Sequence, residues 1–77
     1  MKKLSQTTIK RYSGEQLARH LDRLDSPLYR VEPNGQVWKL TESTPFGNYY
    51  GFHCSTHDKD AVLACIEEVY SHNSTKG

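Results

Sequence analysis

At 77 residues, this chain has room for one domain, and a chain of that size buries only about 60% of its unfolded surface. Its 35% hydrophobic and 25% charged content suits a folded soluble protein better than a disordered one. A formal net charge of +1 lacks the strong basic excess of a general nucleic-acid binder.

No apolar run approaches the roughly 20 residues of a membrane helix, and the opening MKKLSQTTIK lacks a signal-peptide apolar core. Cys54 and Cys65 form no CxxC pair. With no export signal, they point to reduced thiols in the cytoplasm. The basic groups are unevenly placed: residues 1–40 carry eight of the ten, and most acids follow them.

In chain order, residues 1–11 read as a flexible basic arm holding Lys2, Lys3, Lys10 and Arg11, or as an added strand through Thr7, Thr8 and Ile9. The folded domain is expected over residues 12–71. Ser13 with Gln16 three residues on forms a capping box, and Tyr12 with Leu17 has hydrophobic-staple spacing. Leu17, Leu21 and Leu24 recur at helical intervals, and Pro27 predicts an end near Asp25. The charged side of this helix is expected to be solvated, with His20 at its boundary.

LYRVE-PNGQ-VWKLT then predicts a hairpin, because Asn34-Gly35 suits a two-residue turn with positive φ. In that register Val31 pairs with Trp38 and Tyr29 with Leu40, all four on one apolar face. Arg30 opposite Lys39 would lie on the other face. ESTPFGN reads as a loop. A third strand follows in YYGFHC, with Tyr50, Phe52 and Cys54 expected inward and Tyr49, Gly51 and His53 outward.

The second helix is expected to start at Ser55 or Thr56, with Asp58 and Asp60 in its first turn. Its apolar stripe is Val62, Cys65, Ile66, Val69 and Tyr70. Residues 72–77 read as a disordered tail. The expected fold class is therefore α+β, in the order helix, three-stranded antiparallel sheet, helix (αβββα). One apolar stripe per helix and one apolar sheet face place both helices on the same side.

YYGFHCSTHDKD is the one stretch dense in reactive side chains. Strand alternation sends adjacent His53 and Cys54 to opposite faces, so no metal ion and no other cofactor is expected. Cys54 and His57 have nucleophile–base spacing, but Cys54 falls on the apolar face and no orienting third group follows, so no enzyme is expected. The open sheet face is the candidate contact surface, comprising Arg30, Lys39, Tyr49 and His53, with Phe46 in the adjoining Thr44–Asn48 loop.

The element order resembles that of double-stranded-RNA-binding domains. That family grips phosphates with a lysine cluster at the start of its last helix, where this chain has Asp58, Lys59, Asp60 and Ala61. Residues 28–70 are also similar to the three-strand-plus-helix domains of plant AP2 factors and phage integrase arms. That likeness rests on Trp38, Tyr50-Gly51-Phe52 and the helix opening of Thr56 to Ala61. It implies DNA reading by the sheet face.

The reading favoured by size and by the lack of catalytic residues is a small protein-binding domain. A phage or mobile-element inhibitor, of the anti-CRISPR or anti-restriction type, would fit by occluding a larger partner. Its alternative is a nucleic-acid-binding module using Lys2, Lys3, Lys10, Arg11, Arg30 and Lys39. An exposed sheet edge also leaves a homodimer open.

Overall fold

The computed structural model describes residues 4–75, with side chains to residue 72. Three helices and three strands follow one another: α1 (Gln6–Arg11), α2 (Gly14–Arg23), β1 (Tyr29–Glu32), β2 (Gln36–Thr44), β3 (Gly47–Ser55) and α3 (Lys59–Thr75). The sheet is antiparallel in the order β1-β2-β3. The fold is α+β, with the expected helix–sheet–helix succession preceded by one short extra helix.

That extra helix replaces the arm and the strand expected before residue 12. Ser5 caps it, with its hydroxyl accepting from the Thr8 amide at 3.2 Å, and Lys10 and Arg11 occupy its last turn, where cations suit the dipole. Six residues are too few for a helix to hold alone. Docking supplies the rest: the Leu4 amide donates to the Tyr70 hydroxyl at 3.3 Å, and Lys59 Nζ donates to the Lys10 carbonyl at 3.3 Å. Lys2 and Lys3 lie outside the described residues. At the other end, α3 extends to Thr75, through residues expected to form a tail.

α2 begins as its sequence specifies. Ser13 Oγ accepts from the Gln16 amide, and Gln16 Oε1 accepts from the Ser13 amide at 2.8 Å. The helix stops at Arg23, and Asp25 takes the left-handed conformation (φ 51°) often used to close helices. Gly14 is needed for close packing: a Cβ there would sit 2.2 Å from the carbonyl oxygen of Thr56.

α3 starts later than Ser55 or Thr56. Asp58 is its cap, accepting the Ala61 amide on its side chain at 3.2 Å and the Val62 amide on its carbonyl at 3.0 Å. Thr56 is instead buried, and its amide donates to the Gly35 carbonyl at 3.0 Å. It joins the β1–β2 turn to the start of α2.

Both helices pack on one side of the sheet, α2 mainly against β1 and α3, and α3 also against β3. Leu17, Ala18 and Leu21 of α2 meet Val62, Cys65, Ile66 and Val69 of α3 over Tyr29, Val37 and Cys54 of the sheet. The α3 stripe is the expected one, with Tyr70 at its margin. Beyond this core the outer half of the β2–β3 hairpin continues as a largely exposed ribbon from Thr41 to Tyr49.

The sheet's register departs from the sequence expectation. The β1–β2 loop has three residues, Pro33, Asn34 and Gly35, and Glu32 pairs with Gln36. The Gly35 amide donates to the Glu32 carbonyl at 3.1 Å, and Gly35 alone in this loop has positive φ (90°). Pro33 suits the second position of such a turn, where its fixed φ is already correct. The longer loop pairs Val31 with Val37, Arg30 with Trp38 and Tyr29 with Lys39.

Two bulges then reset the faces of β3. Val37 pairs with Cys54 but Trp38 pairs with Phe52, so His53 is an extra residue on β3. Leu40 pairs with Tyr50 and Glu42 with Tyr49, so Thr41 is an extra residue on β2. Val37, which the two-residue turn would set opposite Glu32 on the outer face with Arg30 and Lys39, is fully buried. Trp38, Leu40, Tyr50 and Phe52, expected inward, lie on the face away from the helices, as their pairing with one another and with Arg30 requires.

Candidate functional site

The expected contact surface is divided between the two sheet faces. Arg30 is on the outer face, where its Nε lies 2.9 Å from Glu32 Oε1. Lys39 is on the helix side, its Nζ 4.0 Å from Glu68 Oε1 of α3. His53 is also on the helix side, with its ring centroid 5.7 Å from that of Tyr29. The Arg30–Lys39 pair that alternation and a two-residue turn would create does not form. Tyr49 and Phe46 remain exposed on the projecting hairpin.

What lies on the outer face instead is aromatic. Trp38 and Phe52 meet edge to face with ring centroids 6.0 Å apart, and Phe52 is 58% exposed. Tyr50 lies alongside, its hydroxyl donating to the Pro27 carbonyl at 2.8 Å. The Trp38 indole N–H is enclosed with no acceptor among the described residues, so packing rather than a hydrogen bond fixes its ring.

The hairpin tip is tightly tied. Pro45 and Phe46 form a two-residue loop between paired Thr44 and Gly47. Thr44 Oγ1 donates to the Gly47 carbonyl at 3.0 Å and accepts from the Phe46 amide at 3.2 Å. Ser43 Oγ donates to Asn48 Oδ1 at 2.8 Å, and Thr41 Oγ1 donates to the Tyr49 carbonyl at 3.0 Å. The residues read as a loop are therefore mostly strand, and they hold Phe46 out with 94% of its surface exposed.

A second cluster lies at the opposite end of β3. The His53 bulge overrides alternation, so His53 and Cys54 reach the same side and meet Cys65 from α3. Their potential ligand atoms all lie within 4.8 Å of one another. Tyr29 flanks the cluster, its hydroxyl donating to Glu68 Oε2. Burial is the main force on the thiols: it raises Cys54 above its ordinary value and, with the Cys54 sulfur close by, pushes Cys65 up to about 11. Burial, then the Glu68 hydrogen bond, also raises the Tyr29 phenol.

His57, the base expected beside Cys54, lies 3.6 Å from Glu15 of α2 through its Nδ1. Cys54 thus has His53, not His57, as its imidazole neighbour. Burial favours the protonated form of both thiols, the less nucleophilic one.

The basic groups of α1 are also distant in the architecture from the outer sheet face. α1 docks on α3, and α3 covers the inner face. Lys10 and Arg11 therefore do not extend the surface that carries Arg30. No helix among the described residues is long and apolar enough to cross a membrane. No protein-family model, curated protein or solved structure matches this chain.

Proposed function

We propose that this chain is a small non-enzymatic protein-binding domain whose contact surface is the β2–β3 hairpin tip together with the aromatic outer face. Its partner is a larger protein with an apolar cleft that receives Phe46. The observation that carries this reading is the exposed Phe46 ring on a tip braced by side-chain hydrogen bonds. A prearranged aromatic anchor loses little entropy on docking, and aromatic side chains dominate interface energetics. Tyr49 adds exposed aromatic surface on the hairpin, and Phe52 adds it on the outer face further along β3.

Charge favours a protein over a polyanion. Arg30 is already paired with Glu32, and the basic turn of α1 belongs to the other side of the molecule. Occlusion of a larger protein's surface, as by a phage or mobile-element inhibitor, suits a 77-residue chain with such a protrusion. A cytoplasmic setting goes with this reading, since both cysteines are free thiols.

The test compares capture from the native host by the wild-type chain, Phe46→Ser and Phe52→Ser, with sedimentation of each purified protein. A partner held by the wild type and lost by Phe46→Ser, with an unchanged melting temperature, is the expected result. Equal capture by all three chains would refute the surface. So would a self-associated wild type that Phe52→Ser renders monomeric, or binding to mixed-sequence nucleic acid with a steep salt slope.

A further inference from the structure

We propose that His53, Cys54 and Cys65 form a binding site for a thiophilic divalent cation, and that Zn2+ is the ion their donor set fits. Two sulfurs and one imidazole nitrogen come from two elements, β3 and α3, and lie within 4.8 Å of one another. Tetrahedral zinc, with Zn–S near 2.3 Å and Zn–N near 2.0 Å, brings its ligand atoms about 3.5–3.8 Å apart. Closure by roughly an ångström is within reach of side-chain rotation, because His53 is exposed and touches the core only through Tyr29.

The local backbone favours this reading over chance proximity. Neighbouring strand residues ordinarily diverge, and these two converge only because the ladder skips His53. A Cys54–Cys65 disulfide would use the two sulfurs and leave the third donor without a role. Sulfur donors also disfavour magnesium and calcium, which take oxygen ligands.

No carboxylate of the described residues joins the three donors, and with His53 exposed a water would complete the shell. Glu68, one turn beyond Cys65, is engaged elsewhere, by the Tyr29 hydroxyl and by Lys39 Nζ at 4.0 Å. On binding, the two thiol protons pass to solvent and His53 donates the lone pair of a neutral ring nitrogen. The ion would tie β3 to α3 at the base of the projecting hairpin. This inference stands independently of the proposed partner surface.

The test uses the reduced, chelator-treated full chain, titrated first with Co2+ and then with Zn2+ against a chromophoric chelator. A stoichiometric cobalt complex with sulfur-to-cobalt charge-transfer absorption is expected, displaced by zinc, together with a zinc-dependent rise in melting temperature. His53→Ala should weaken zinc binding at least tenfold while leaving the metal-free melting temperature within a few degrees. Cys54→Ala should abolish most of the charge-transfer band, and Cys65→Ala provides a parallel check if it folds. Lack of a cobalt–thiolate band, or equal zinc affinity in His53→Ala, overturns the proposal. A reduced chain that ignores zinc but forms an internal disulfide with oxidised glutathione overturns it as well.

Discussion

Replacing Val37 by alanine, beside replacing Phe52 by alanine, tests the register on which both candidate surfaces depend. Val37 is 0% exposed and lies over the junction of α2 and α3. Removing its two methyl groups forfeits about 1.6 kcal/mol of transfer free energy at ~0.8 kcal/mol per group, and the unfilled space raises the loss to roughly 2–3 kcal/mol. Phe52 is 58% exposed. Its truncation forfeits only the shielded part of the ring and its edge contact with Trp38, about 1–2 kcal/mol together. At about 4–8 °C per kcal/mol for a domain of this size, Val37→Ala should lower the melting temperature by roughly 10–20 °C. Phe52→Ala should lower it distinctly less. A two-residue Asn34-Gly35 turn with an unbulged β3 gives the opposite order, because Val37 would face water and a buried Phe52 would lose roughly 3–5 kcal/mol. Thermal and urea unfolding of both variants decides the matter. A near-neutral Val37→Ala with a severely destabilised Phe52→Ala would refute the register and the aromatic outer face with it.

Three further outcomes follow from local geometry. Gly14→Ala should destabilise by about 1–2 kcal/mol, since relieving a 2.2 Å approach to the Thr56 carbonyl outweighs the roughly 1 kcal/mol propensity gain; a more stable variant in urea unfolding would contradict that packing. Asp58→Ala should cost about 1 kcal/mol in the same assay while Ser55→Ala costs less, because the Asp58 side chain accepts the Ala61 amide in the first turn of α3 whereas Ser55 accepts only the His57 amide before it; the reverse order would move the helix start. His20 is half-buried with its Nε2 2.7 Å from the Tyr70 hydroxyl, and burial, then the Arg23 charge, lowers its pKa below 6.5. The unfolded chain therefore takes up that proton first, so His20's contribution is complete above pH 6.5 and is lost as pH falls through its lower folded value. His20→Gln should flatten the acid side of the stability profile, and an unchanged profile would refute the shift.

The elements whose signals are local were legible in the sequence. Ser13 and Gln16 mark the start of α2 through a reciprocal hydrogen-bond pair that needs no tertiary partner. Val62, Cys65, Ile66 and Val69 mark the buried stripe of α3 because helical spacing alone aligns them. α1 was not legible, as six mostly polar residues with the single apolar Ile9 gain their order from contacts with α3 far along the chain. The sheet faces were misread for a different reason. Asn34-Gly35 is compatible with both a two-residue and a three-residue loop, and the choice turns on Pro33 and on the Thr56 amide that docks to Gly35. A difference of one residue there exchanges Val37 with Trp38 and Lys39 with Leu40 between core and solvent. Cys54 was placed correctly because it lies on the near side of the bulge, whereas Phe52 and Tyr50 lie beyond it.

The bulge at His53 links the aromatic outer face to the imidazole–thiol cluster. Were β3 regular, Phe52 would follow Cys54 beneath the helices, and His53 would stand on the outer face beside Trp38. Neither the imidazole–thiol cluster nor the exposed phenyl ring would then exist. Inserting one residue opposite Val37 and Trp38 turns His53 inward and Phe52 outward in a single step. The compensating extra residue at Thr41 restores pairing, so Glu42 meets Tyr49 and the hairpin can close on Pro45 and Phe46. Each bulge interrupts a ladder and leaves one residue outside the pairing, which a chain with so thin a core gains nothing from in stability. Their effect is on the side chains presented: a sulfur–imidazole cluster at the helix end, and aromatic rings on the open face.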